Sequence, residues 1–486
     1  MKLHRGQSIE VHDDRAFGEG GLASYYHDAD WVGPDSRHGT SHQVVADPTG
    51  EGFVCVGTSR PRGQRVTALA FLRFSRDGRL LDDMGVLPPE GSAELVRAAT
   101  TDYHGAVVAA GTNKDRTSFL VRVFPKQDAI DASYGANFRA WLGEVYGRGQ
   151  IVQVFALLPE PEGRMLVAGA VYRRMGLKTL GPFVVRLNID GTVDQTFRKY
   201  GGPPAADSQY QMFFHALGRQ RDGTIVAAGK VFEIDGGAVG AVVYLDEDGT
   251  PVRSETSGEW SSWFGGVTCI APDALTGSLV LGGFRQPSEG VTQACVARML
   301  PDGRVDTSAA GGGLWKTQSR ASMVHAVATS PSGAIVAAGV DGAAIVPAMF
   351  VVNPDGTTPP GFGPVGMVQL AETGFALGLC ISGSRVVVPL LSSEQGFLLA
   401  GYKLQTLAPV TPVRRPAAPL SQSLRAAQQP PVRANRFAAR AQGDAQKAAQ
   451  QIAAMEAAHG WLGKSAENMG ISSRMMGVHS MNMLRW

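Results

Sequence analysis

A short phrase of glycine, three or four apolar residues and glycine recurs about every 55 residues along the chain. The clearest copies are Gly163–Gly169, Gly223–Gly229, Gly277–Gly283 and Gly333–Gly339, and weaker copies end at Gly57, Gly111 and Pro389. A small residue precedes each closing position by thirteen: Val44, Ala98, Ala156, Ala216, Ala326 and Ala376. Cys269 fills the same place in the fifth copy, where the turn is one residue longer. A second apolar run follows each closing residue, as in 183–187, 241–245 and 348–352. These runs are rich in Val, Phe and Tyr, which suit strands. They end in Asp-Gly turns at Gly78, Gly191, Gly249, Gly303 and Gly356. Asp-Gly between apolar runs marks a hairpin, because glycine accepts the positive φ that the turn requires.

Each unit therefore reads as four short antiparallel strands, and four-stranded units repeated at this spacing are the blades of a propeller. Seven copies predict an all-β, seven-bladed β-propeller over residues 1–405. The seventh copy stops near Leu404 and lacks the segment that follows the turn elsewhere, such as 193–197. A matching piece stands at the other end of the chain. Asp14-Arg-Ala-Phe17-Gly18 parallels Asp194-Gln-Thr-Phe197. The segment of about Gln7–Gly21 is thus expected to supply the outer strand of the last blade and to cover a sheet edge. The small residues Ala156, Ala216, Ala326 and Ala376 are expected on the innermost strands, where blades converge.

The stretch Arg186-Leu-Asn-Ile-Asp-Gly-Thr-Val-Asp-Gln-Thr-Phe197 resembles the signature of the delta-60 repeat family, a bacterial propeller-type repeat. The resemblance covers about residues 8–405, is close in the third unit and decays in the fourth to sixth. It departs most in the second, where Pro125-Lys-Gln-Asp replaces the usual turn. It implies a fold and no particular activity, since repeat families of this kind serve many roles. The Trp-Asp dipeptides of WD40 blades and the Ser-x-Asp-x-Gly-x-Thr-Trp boxes of sialidase-type propellers are missing.

A length of 486 would suit about three domains, but the repeat makes one large ring the better reading. The four cysteines, Cys55, Cys269, Cys295 and Cys380, are far apart, and three lie inside apolar runs. They read as buried reduced thiols. No zinc spacing occurs, and no apolar stretch is long enough to span a membrane. The N-terminus has no apolar signal-peptide core. The expected location is cytoplasmic, or outside the cell or in a particle reached without a cleaved signal.

Beyond the ring the pattern changes. Residues 406–433 are rich in Pro, Ser, Gln and Ala and read as an extended linker. Residues 434–486 read as a helical, Met-rich docking tail, with a helix predicted over Ala434–His459. Its apolar stripe contains Phe437, Ile452 and Met455. Residues 406–486 carry ten Lys or Arg and three Asp or Glu, a net of +7, which leaves −5 on the remainder of a chain of net +2. Arg433, Arg436, Phe437, Arg440, Ile452, Met455, Trp461 and Trp486 are the candidate partner-binding residues of the tail.

Candidate chemistry within the ring centres on one slot just before the small residue. Arg97, Phe155, His215, Thr268, His325 and Phe375 occupy it, with Gln43 in the first unit, and are the expected lining of a central channel. His215 and His325 could form a metal pair but lack a third ligand, although Asp47, Asp102 and Glu160 lie near the same ends of other blades. The 188–194 turn lacks the twelfth-position glutamate of an EF-hand, so turn chemistry explains its oxygens. No nucleophile elbow, His-Glu-x-x-His or phosphate loop occurs. No catalytic residue, metal ligand or cofactor is assigned. The tail arginines lack interleaved aromatics beyond Phe437, which disfavours nucleic acid.

The reading is a non-enzymatic binding or scaffold propeller that uses its basic tail to dock to a protein partner, to itself, or to a larger phage-like or secretion-associated assembly. One alternative is a glycan-binding propeller, disfavoured because Trp31, Trp141, Trp260, Trp263 and Trp315 do not recur at one blade position. The other is an enzyme that uses the central channel.

Overall fold

The computed structural model describes residues 9–406 apart from a set of short connecting segments, of which 26–39 is the longest. The linker from 407 onwards and the whole tail, with Arg433, Arg436, Phe437, Arg440, Ile452, Met455, Trp461 and Trp486, lie outside the described residues.

The chain forms a seven-bladed β-propeller. Six blades are consecutive four-stranded antiparallel sheets over 40–86, 93–131, 150–201, 211–255, 266–316 and 323–369. In each, the first strand is innermost and packs against the first strands of its neighbours. Ala156, Ala216, Ala326 and Ala376 all lie on these inner strands, as expected. The second and third strands are covered on both faces, and Gly52–Ser59 and Ile225–Phe232 are buried at every position. That explains why they read as continuous apolar runs rather than alternating ones. The outer strand Leu80–Val86 instead exposes Asp82 and Asp83, charges that discourage edge-to-edge pairing.

The seventh blade is shared between the two ends of the chain. Its three inner layers come from 375–406, and its outer layer is Ile9–Asp13 followed by Leu22–Tyr25, both antiparallel to Phe397–Thr406. Two short strands thus replace the single segment expected over 7–21. Between them the 14–18 turn repeats the contacts of its counterpart in blade three. The Asp14 amide donates to Gly401 O at 3.0 Å, as that of Asp194 does to Arg186 O at 2.8 Å. The Gly18 amide reaches Asp77 O of blade one at 2.7 Å, as that of Arg198 reaches Asp248 O of blade four at 2.6 Å. Phe17 is fully buried between Gly401 and Gly78, where a Cβ on either glycine would press against its ring.

There is no single core. Seven apolar clusters each join one blade to the next, so the ring is held by seven sheet-on-sheet interfaces. The one that closes the circle contains Phe17, Ala23, Val387 and Leu399 from blade seven and Val44, Phe53 and Leu72 from blade one.

Buried ion pairs join the inner and third strands within blades. The third strand carries Arg73, Arg122, Arg186 and Arg298 at one register position, and the end of the inner strand carries Asp47, Asp102, Glu160 and Asp273. Arg73 meets Asp47 at 3.1 Å, Arg122 meets Asp102 at 2.7 Å and Arg298 meets Asp273 at 2.7 Å. Arg186 pairs with Asp194 at 2.7 Å and stands 3.9 Å from Glu160. Arg122 and Arg186 also donate to the turn of the following blade, at Ile189 O and Glu247 O. Where blade four has Tyr244 in place of the arginine, the acid is Gln220, and where blade six has Val351, it is Ser330. Both charges disappear together, which is what the cost of an unpaired buried charge requires.

Among the described residues two α-helices interrupt the all-β pattern, Ala132–Tyr146 and Glu259–Trp263. The first follows the short outer strand of blade two. Asp131 caps it, with Oδ1 accepting from Ser133 Oγ and the Tyr134 amide. Tyr134, Phe138 and Trp141 are buried in the cluster between blades two and three.

Candidate functional site

The inner strands enclose a central channel of about 600 Å3. Its wall is set by one backbone device. In six inner strands the register slips by one residue opposite the repeat glycine, and the residue left unpaired is His42, Arg97, Phe155, His215, Thr268 or His325. Such a bulge re-aims a side chain. It also explains the glycine. A Cβ on Gly169 would run into the carbonyl oxygen of Gln153, and one on Gly229 into that of Phe213.

All six predicted residues, Arg97, Phe155, His215, Thr268, His325 and Phe375, line the cavity, and so does Gln43. Blade one needs a correction. Its turn is one residue longer, with the Asp47 amide bonded to Gly52 O, as in blade five, where Asp273 bonds to Ser278 O. The bulge residue is therefore His42, and Gln43 takes the place that Ala98 has in blade two. In blade seven the register also slips by one residue, but across a break in the strand, between Ala376 opposite Leu390 and Cys380 opposite Val387. Pro389 replaces the glycine and offers no amide, and the inner strand breaks between Ala376 and Cys380. The Leu377 carbonyl accepts from Gln43 Nε2 at 3.2 Å, and the same nitrogen lies 3.3 Å from Arg97 O.

Other wall groups are engaged across blade boundaries. His42 is fully buried, and its Nδ1 accepts the Val96 amide of blade two at 2.9 Å. Thr268 Oγ1 lies 2.5 Å from Val324 O of blade six. Arg97 lies over the Phe155 ring at 5.5 Å, and Phe155 contacts His215 with centroids 4.7 Å apart. His325 meets Phe375 edge-on at 6.5 Å. His215 and His325 stand two blades apart with Thr268 between them. Among the described residues no group of three His, Cys, Asp or Glu side chains is placed to hold a metal ion. Asp47 and Asp102 serve the arginine pairs instead, and Glu160 pairs with Arg219. Asp190 spends its carboxylate on Thr192 within its own turn. All four cysteines are free, and burial pushes the channel-wall thiols Cys269 and Cys380 up to about 12.

Burial holds the channel histidines neutral. It pulls His42 down to about 3, with the nearby Arg97 charge adding to the effect, and His325 down to about 4. His215 lies well below its ordinary value through burial and the charges of Lys230 and Arg97. The unfolded chain takes up these protons near pH 6.5, while the folded ring does not until far lower. Stability is therefore expected to fall as pH drops from about 6.5 towards 4, by up to about 1.4 kcal/mol per pH unit for each histidine. Urea midpoints at pH 7.5 and pH 5 check this, and equal midpoints would mean that the imidazoles are solvated.

The fold and the channel define a β-propeller whose wall side chains are set by bulges. A family model described as "Domain of unknown function (DUF5122) beta-propeller" matches residues 160–197, which run from the inner turn of blade three to Phe197. Among solved structures, the chain is similar to the β-propeller domain of the Trilobed protease from Pyrococcus furiosus. The identity is 10%, over 79% of this chain and 99% of that one, with a TM-score of 0.43. No curated protein matches the chain. Among the described residues no helix is long and apolar enough to cross a membrane.

Proposed function

We propose that the protein is a non-enzymatic binding propeller of the delta-60 type, a rigid ring that presents its channel and loops while residues 434–486 dock it to a protein partner or a larger assembly. The observation that supports a non-catalytic reading is the state of the channel wall. His42, Gln43 and Thr268 direct their polar atoms to main-chain groups of neighbouring blades, so they hold the ring together. The glycan reading has lost two of its aromatic platforms, because Trp141 and Trp260 are buried between blades.

The tail reading rests on charge and composition. A segment of net +7 on a chain whose remainder is −5, with a thin stripe of Phe437, Ile452 and Met455, gains order by docking to a surface. Sedimentation velocity of the full chain and of the chain ending at 405 tests it. The full chain is expected to form a salt-sensitive assembly that the shortened chain does not. Phe437→Ala should weaken it more than Arg433→Ala, Arg436→Ala or Arg440→Ala, since a buried aromatic anchor dominates such contacts. Equal association by the tailless ring would remove the docking role.

A further inference from the structure

We propose that the channel wall between blades two and four binds a small organic monoanion, a single carboxylate carried on a flat apolar body. This rests on the channel being a binding surface and is independent of the tail.

The charges on that wall differ from those of the buried arginine pairs. Arg73, Arg122, Arg186, Arg298 and Arg385 each have a carboxylate in direct contact. Arg97 does not. It lines the cavity, and among the described residues its guanidinium makes no ion pair or side-chain hydrogen bond, only the stacking contact with Phe155. Its Nε is buried without a partner. Lys230, 6% exposed, lies behind the same wall. Its Nζ sits 4.8 Å from the centre of the Phe232 ring and 5.8 Å from that of Phe213, with no ion pair among the described residues. Glu94, the residue passed over by a second bulge in blade two, lines the cavity; burial lowers Arg97 to about 10, and Tyr172 and Glu94 oppose that shift. Among the described residues, Arg97 and Glu94 line the cavity and Lys230 stands behind them, which leaves one positive charge in excess.

Between the cations stands His215, whose buried Nε2 has no partner. Its ring lies nearly parallel to that of Phe213 with centroids 6.1 Å apart, and Tyr172 packs on Phe213 at 5.6 Å. Phe213 and Tyr172 back the His215 ring, and Phe155 and His215, which line the cavity 4.7 Å apart, give the wall flat faces beside an excess positive charge. A buried charge without a counter-ion is costly, and an anion that enters removes the cost. A carboxylate supplies the missing charge, and an apolar body matches the rings. A cavity of about 600 Å3 suits a ligand of that size. A doubly charged phosphate would overshoot the excess and leave the rings uncovered.

Isothermal titration of the full chain with benzoate, benzamide and inorganic phosphate tests the site. Benzoate should bind one per chain, at least tenfold more tightly than benzamide, which has the same shape without the charge, or than phosphate, which has charge without the ring. Arg97→Leu and Lys230→Met should each weaken benzoate at least tenfold. Lys230→Met should also raise Tm, because it removes a buried cation that has no bonded acid. A lysine held only for its aromatic contacts would lower Tm on removal, and that result overturns the assignment. So would absence of benzoate binding, equal binding of benzoate and benzamide by the native chain, or phosphate as the tighter ligand. The chain ending at 405 should bind benzoate as the full chain does. Loss of assembly with benzoate binding intact keeps the two readings separate.

Discussion

Deleting residues 1–25 is expected to open the ring. Blade seven loses its outer layer, so the strand Phe397–Thr406 becomes a free edge able to pair with another molecule. The interface with blade one loses Phe17, a fully buried ring in edge contact with Phe53 at 6.4 Å. That loss alone is worth about 3–5 kcal/mol, so Phe17→Ala in the full chain should cost the same. Asp14 goes as well. Burial would raise its carboxyl, but hydrogen bonds and charge from Arg385 and Lys403 lower it on balance, so it is ionised at neutral pH. Its removal leaves Arg385, which is largely covered, facing no acid. Urea denaturation with light scattering checks the outcome. The truncated chain should unfold at much lower urea and scatter strongly, and an unchanged midpoint would show that the N-terminal strands only decorate the ring.

The second large effect concerns the arginine pairs, for which the protein contains its own control. Arg298→Tyr alone should cost about 3–5 kcal/mol, since it leaves the buried Asp273 side chain opposite a neutral group. Adding Asp273→Gln copies the native pair of blade four. There Tyr244 OH donates to Gly303 O at 3.0 Å and Gln220 Nε2 to Leu300 O at 3.2 Å, both in the next blade. The double variant should recover most of the loss. A double-mutant cycle from urea midpoints gives the coupling directly. A single Arg298→Tyr variant as stable as the native chain would show the ion pair to be idle.

Much of the ring was legible because each repeat feature answers a local backbone demand. The Asp-Gly turns need a positive φ, and Gly78, Gly191, Gly249, Gly303 and Gly356 have φ between 81° and 83°. The equivalence of Asp14–Gly18 with Asp194–Phe197 could be read from side chains alone, because the turn they form makes its own hydrogen bonds wherever it lies in the chain. The helix Ala132–Tyr146 was missed, although Asp131 as a cap and Tyr134, Phe138 and Trp141 three or four apart were a usable signal. It was hidden because the insertion breaks the repeat at the place where strand patterning was expected.

The candidate site was legible by slot and not by chemistry. Counting back from the glycine found Arg97, Phe155, His215, Thr268, His325 and Phe375, but it missed His42, because an extra turn residue in blade one displaces the count by one. Lys230 and Glu94 gave no signal. A lysine inside an apolar strand and a glutamate three positions before an arginine look ordinary until neighbouring blades show which charges have a partner.

The sequence by itself determined the number of blades, the place of five Asp-Gly turns and the identity of the segment that closes the circle, since strand periodicity and turn conformation depend on neighbours in the chain. Only the tertiary structure decided which buried charges are matched and which side chains meet in the channel. The charge matches join separate strands of one blade, and the channel contacts join separate blades. Arg97, Phe155 and His215 come together because three inner strands converge on one axis, each bulged opposite a glycine that leaves room for the carbonyl behind it.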